Sequence, residues 1–125
     1  MQLTYAILYV DDVRKSLAFY KTAFRFETHY VHEDGDWGEL ATGSTRLSFS
    51  ARKLMAQLGK TTSRANPHAP SFEIAFTTDN VPEAVEKAIA AGATLIQKAE
   101  QMPWGQTVAY VADPDGILVE ICTLV

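Results

Sequence analysis

Apolar and polar positions in this chain follow two periods, short runs that repeat every second residue and two longer stretches that repeat at helical spacing. "YAILYV" (5–10) reads as a strand, and "DDVRKSLAFYKTAF" (11–24) after it as a helix whose apolar stripe is Val13, Leu17, Tyr20 and Phe24. Acidic residues at the start of that helix favour the positive end of its dipole. A second strand is predicted over 71–78: in "PSFEIAF", Phe72, Ile74 and Phe76 alternate with Ser71, Glu73 and Ala75. "DNVPEAVEKAIAAGA" (79–93) then carries the signals of a second helix, with Asp79 or Asn80 as N-cap, Pro82 in the first turn and Gly92 as the stop. Its stripe is Val81, Val85, Ala88 and Ala91.

The two halves share one grammar. Asp79, Val81, Val85 and Ala88 each follow Asp11, Val13, Leu17 and Tyr20 by 68 positions, so the two strand and helix units superpose without a gap. Three strand-like runs follow each helix: "FETHYV", "GELAT" and "TRLSFS" in the first half, "TLIQKA", "QTVAYVA" and "ILVEICT" in the second. Turns separate them at "HEDGD", "TGS", "EQMPWG" and "DPDG". The expected class is therefore α+β, as two tandem βαβββ modules, about 1–50 and 71–125, in a single domain. The polar connector 51–70 holds one short helix near Leu54 to Leu58, and connectors of this length often cover a binding site.

One helix covers one face of a small sheet, so the other face of each module needs a partner. The expectation is a curved mixed sheet around a shared trough. Strand parity assigns its lining: Tyr5, Ile7 and Tyr9; Arg46, Ser48 and Ser50; Glu73 and Ala75; Leu118, Glu120 and Cys122. The opposite parity, including Ala6, Leu8, Val10, Leu47, Phe49, Phe72, Ile74, Phe76, Val119 and Ile121, is nearly all apolar and belongs under the helices. A one-sided sheet facing water is the alternative. In that case Glu73 is an ordinary surface carboxylate, paired with Arg46 or Arg52.

Composition narrows the partners. A chain of 125 residues, 47% hydrophobic, can bury one real core. With a formal charge of -4 and scattered basic residues it offers nothing to a polyanion, so nucleic acid is not an expected partner. No apolar run approaches the roughly 20 residues that span a bilayer, and "MQLTYAILYVDD" lacks the form of a signal peptide. No membrane association is expected, and the expected compartment is the cytoplasm. The single cysteine, Cys122, agrees with a reducing compartment and reads as a packing residue.

"DDVRKSLAFYKTAF", its second copy "FEIAFTTDNVPEAVEKAIAAGA" and the closing "PWGQTVAYVADPDGILVEIC" together resemble the vicinal oxygen chelate superfamily, which holds glyoxalase I, bleomycin-resistance proteins, fosfomycin-resistance enzymes and extradiol dioxygenases. The resemblance spans nearly the whole chain and implies the glyoxalase/bleomycin-resistance fold and, commonly, a homodimer. It also implies metal-ligand positions on the first and last strand of each module, which fall here on Tyr5, Ser48, Glu73 and Glu120. A glyoxalase I would be expected to carry histidine or another good ligand at the first and a carboxylate at the second. Glu73 and Glu120 alone suit Mg²⁺ or Mn²⁺, hard cations that accept oxygen, rather than Zn²⁺. His29, His32 and His68 do not fill the gap, although His68 in the connector could reach over the trough.

Two functions remain open. In the first, the protein binds a small aromatic or cationic molecule without metal chemistry, as bleomycin-resistance proteins do, using Trp37 and Trp104, which stand 67 positions apart before glycine in "DWGEL" and "PWGQT", with Ser48, Arg46 and His68. In the second, it is a glyoxalase-type lyase or isomerase using a divalent metal or a Glu73/Glu120 acid–base pair, with Tyr5 donating to a developing enolate oxygen.

Overall fold

Asp12 and Asn80 start the two long helices in the same way. Each side chain accepts the backbone N–H three residues on, from Lys15 at 3.1 Å and Glu83 at 3.2 Å. The computed structural model describes residues 1–125. In chain order they form β1 (Tyr5–Val10), α1 (Val13–Phe24), β2 (Thr28–Val31), β3 (Trp37–Leu40), β4 (Arg46–Ala51), α2 (Arg52–Gln57), β5 (Ile74–Thr77), α3 (Val81–Ala91), β6 (Thr94–Gln101), β7 (Thr107–Ala112) and β8 (Leu118–Cys122). The elements form two compact units: residues 1–21 with 25–64, and residues 22–24 with 65–125. No helix is long and apolar enough to cross a membrane.

Each unit has its own four-stranded mixed sheet, ordered β1-β4-β3-β2 in the first and β5-β8-β7-β6 in the second. The topologies are identical: β1 runs parallel to β4 and β5 to β8, while the remaining pairs are antiparallel. Register carries the duplication down to single residues. Ile7 lies opposite Ser48, and Ala75, which is 68 positions after Ile7, lies opposite Glu120.

In the first unit the face carrying Leu8, Val10, Leu47, Phe49 and Leu40 is buried, as are Val13, Leu17 and Tyr20 of α1. Tyr20 packs its ring against Phe49 at 5.3 Å. Gly38 lets α1 approach β3 closely, since a Cβ there would stand 2.7 Å from Leu17 and 2.9 Å from Val13. In the second unit, Val81, Val85 and Ala88 of α3 are buried, as are Val111, Val119 and Ile121 on the sheet. Asp113 pins the turn into β8 by accepting from the backbone N–H groups of Asp115 and Ile117. The same turn passes so close to the Ala65 carbonyl that only glycine fits at position 116, where φ is +86°.

Three expectations need correction. The strand predicted from Ser71 begins at Ile74, opposite Val119; its only partner, β8, begins at Leu118 and leaves Ser71 and Phe72 without a ladder. Glu73 therefore stands one residue before the strand. Phe72, assigned to the core, is half-exposed for the same reason. Ala6, on the edge strand β1, is also exposed.

Candidate functional site

In the second unit, the hairpin of β7 and β8 sets Tyr110 directly opposite Glu120, and Ala75 of β5 flanks Glu120 on its other side. All three point away from α3, because Val111, Val119 and Ile121 of the alternate parity are buried. Ala75 is exposed, and the nearby Glu73 lies close enough to Glu120 and Tyr110 for both to act on its carboxyl. The Tyr110 hydroxyl donates to Glu120 Oε2 at 3.5 Å, a long bond. Loss of hydration, followed by the hydrogen bond and the charge of Glu120, lifts the Glu73 carboxyl above the usual range, against a smaller opposing hydrogen bond from Tyr110. Burial, then the charges of Glu120 and Glu73, pushes the Tyr110 phenol up as well. Cys122 is buried, and desolvation followed by Glu120 raises its thiol, which makes it a poor nucleophile. The cluster sets two carboxyls and a phenol together, with the Glu73 carboxyl raised by burial and by Glu120.

The cluster offers two carboxylates and a phenol as oxygen donors. Nowhere in the molecule do three or more His, Cys, Asp or Glu side chains come together as a metal site would need.

The first unit presents a different surface on its helix-free face. Tyr5, Ile7 and Tyr9 of β1 are 40 to 43% exposed, yet Ser48 and Ser50 on the neighbouring strand β4 are 0% exposed. The strand order β1-β4-β3 explains part of this, because the Tyr5 ring from β1 meets the Trp37 ring from β3 edge-on at 5.9 Å, above the strand between them. Tyr5 is level with Arg46 and Trp37 is level with Ser50, so the line joining the rings crosses Ser48. Trp37 is held by its indole N–H, which donates to Glu39 Oε2 at 2.8 Å, while Arg46 Nη1 lies 3.4 Å from Glu39 Oε1. Glu39 is thereby satisfied although it is 93% buried by its 7% exposure. Ser48 donates weakly to the Arg46 carbonyl at 3.4 Å. Ser50 Oγ has no hydrogen-bond partner. A buried hydroxyl left without a partner costs about 1 to 3 kcal/mol.

Of the residues singled out in the sequence, Glu73 and Glu120 are brought together. Tyr5 belongs to the first unit with Trp37, and the phenol that meets the two carboxyls is Tyr110. Arg46 is paired with Glu39 and Arg52 with Asp11. His68 is exposed in a turn capped by Asn66. Trp37 and Trp104 are not equivalent: Trp37 lies on β3 opposite Ser50, where the second unit has Val108 opposite Cys122. Trp104 lies in the exposed turn before β7, its indole donating to Gln106 at 2.9 Å. Their similar spacing came from matching "WG" pairs rather than strand register. Tyr110 and Glu39 carry no such mark in the sequence: counted outward from "DPDG" and "TGS" each hairpin is one residue out of register, and the longer turns of the structure place them opposite Glu120 and Ser48.

A family model described as a glyoxalase-like domain matches residues 3–125. Uncharacterized protein YraH of Bacillus subtilis (strain 168) is 26% identical over 124 residues, covering 97% of each chain. Among solved structures, a glyoxalase-related enzyme from Fulvimarina pelagi superposes with a TM-score of 0.85 at 23% identity, over 99% of this chain and 88% of that one, a likeness of fold. A glyoxalase/bleomycin resistance protein/dioxygenase family enzyme from Burkholderia phytofirmans PsJN gives 0.80 at 26% identity, with both chains covered in full.

Proposed function

The chain belongs to the glyoxalase-like domain family of the vicinal oxygen chelate superfamily, and from that premise we propose that it binds a small aromatic or cationic molecule without a metal, in the manner of a sequestering protein. The observation that carries this reading is the helix-free face of the first unit, where Tyr5, Ile7 and Tyr9 stay 40 to 43% exposed beside a buried polar floor. Large rings on a sheet face lose little entropy on binding and offer both apolar area and a negative π face. The second unit, taken by itself, also exposes an indole, that of Trp104. A panel of flat aromatic and cationic compounds should quench tryptophan fluorescence, and Tyr9→Ala should weaken the response. No quenching by any member of the panel, or quenching unchanged in Tyr9→Ala, overturns it.

The Glu73, Glu120 and Tyr110 cluster favours a second reading, a lyase or isomerase that moves a proton next to a carbonyl. Glu73, its carboxyl raised by burial and by Glu120, supplies a proton to a developing enolate oxygen, while Glu120 takes one from carbon and Tyr110 orients it. Deuterium uptake from solvent next to the carbonyl of a 2-oxoaldehyde–thiol adduct, abolished in Glu120→Gln, is the expected signature. Uptake equal to that without protein refutes it.

A further inference from the structure

The Tyr5–Trp37 pair roofs a polar floor that has one hydrogen-bonding group to spare. Ser50 Oγ is enclosed and has no partner. Its neighbours across the sheet are Tyr9 on β1 and Trp37 on β3. Every other polar side chain of this floor is engaged: Glu39 by Trp37 and Arg46, and Ser48 by the Arg46 carbonyl. Trp37 is therefore both roof and latch, and a single hydrogen bond, from its indole to Glu39 Oε2, ties it down.

We infer that a planar heteroaromatic ligand parts the Tyr5–Trp37 pair and binds over β4, replacing the Trp37 indole on Glu39 and using Ser50 Oγ. The inference rests on the binding reading above and specifies its ligand. Swinging Trp37 out frees Glu39 Oε2 as an acceptor, and Ser50 then offers an O–H close by, since residues diagonal across a strand pair lie within reach of one aromatic ring. A ring with an N–H beside an unprotonated nitrogen matches both: its N–H donates to Glu39 and its nitrogen accepts from Ser50. Arg46 stays on Glu39 Oε1, so the floor already carries its counter-charge and a neutral ring is preferred to a cation. The displaced indole and Tyr5 remain at hand to stack on the ring's faces.

Benzimidazole in mildly alkaline buffer, where it is neutral, is the probe, and the ¹⁵N–¹H indole resonance of Trp37 is the readout, assigned by comparison with Trp104→Phe. Titration should shift the Trp37 resonance. Ser50→Ala should bind about five- to tenfold more weakly, the worth of one hydrogen bond, while melting no lower than the wild type. Equal affinity in Ser50→Ala, a lower melting temperature in that variant, or binding that leaves the Trp37 resonance in place overturns the inference. If benzimidazole fails to bind while other flat molecules still quench, this inference alone falls. If nothing in the panel binds, the sequestering function falls with it.

Discussion

Replacing Trp37 with phenylalanine removes one hydrogen bond and little else, so its effect measures how firmly the helix-free face of the first unit is held. The indole N–H is 2.8 Å from Glu39 Oε2, and Glu39 is only 7% exposed. Phenylalanine retains an edge for Tyr5, and Arg46 at 3.4 Å still holds the other carboxylate oxygen. What is lost is a bond to a charged acceptor, worth about 1.5 to 3 kcal/mol, with a buried oxygen left unmatched. A loss of about 2 kcal/mol lowers the melting temperature of a domain this size by roughly 6 to 10 °C. Urea and thermal unfolding of Trp37→Phe, Glu39→Met and the double variant complete a cycle. Once Glu39 is methionine, Trp37→Phe should cost little, giving a coupling of about 1 to 2 kcal/mol. A Trp37→Phe loss below about 0.5 kcal/mol, or effects that simply add, would show that the indole is not tied to Glu39 in solution.

Three further outcomes follow from the same contacts. Gly38→Ala should lose about 1 to 3 kcal/mol in urea unfolding, because its methyl group meets Leu17 and Val13 of α1 at less than van der Waals separation. Gly116→Ala should destabilise the second unit, being strained at φ +86° and blocked by the Ala65 carbonyl; an unchanged unfolding midpoint would contradict that packing. Glu73 has its folded pKa raised above the unfolded value of about 4.3, so its contribution is fully present below that pH and is lost as pH rises through the raised value. The stability of the wild type relative to Glu73→Gln should therefore fall over that window and level off above it. A difference that is flat or grows with pH across a urea series would refute the raised Glu73 carboxyl.

Local pattern was enough for most of the architecture. The two helices, the N-cap signal of the second, the repeat of 68 positions and the succession of strands along the chain are written in local period and punctuation. Parity placed Ser48, Glu73 and Glu120 on the faces away from the helices, since side chains alternate along any strand. Which residues meet across strands was decided only by the tertiary structure, because register depends on where each ladder starts and stops. β5 starts only at Ile74, which leaves Glu73 ahead of it and Phe72 exposed. Hairpin register makes Tyr110 the neighbour of Glu120, and Glu39 the partner of Trp37 and Arg46. The closure of Tyr5 over β4 onto Trp37 joins residues 32 positions apart that no local signal links. Burial of Ser50 without a partner is likewise a property of the packed face, and a serine in "TRLSFS" carries no mark of it.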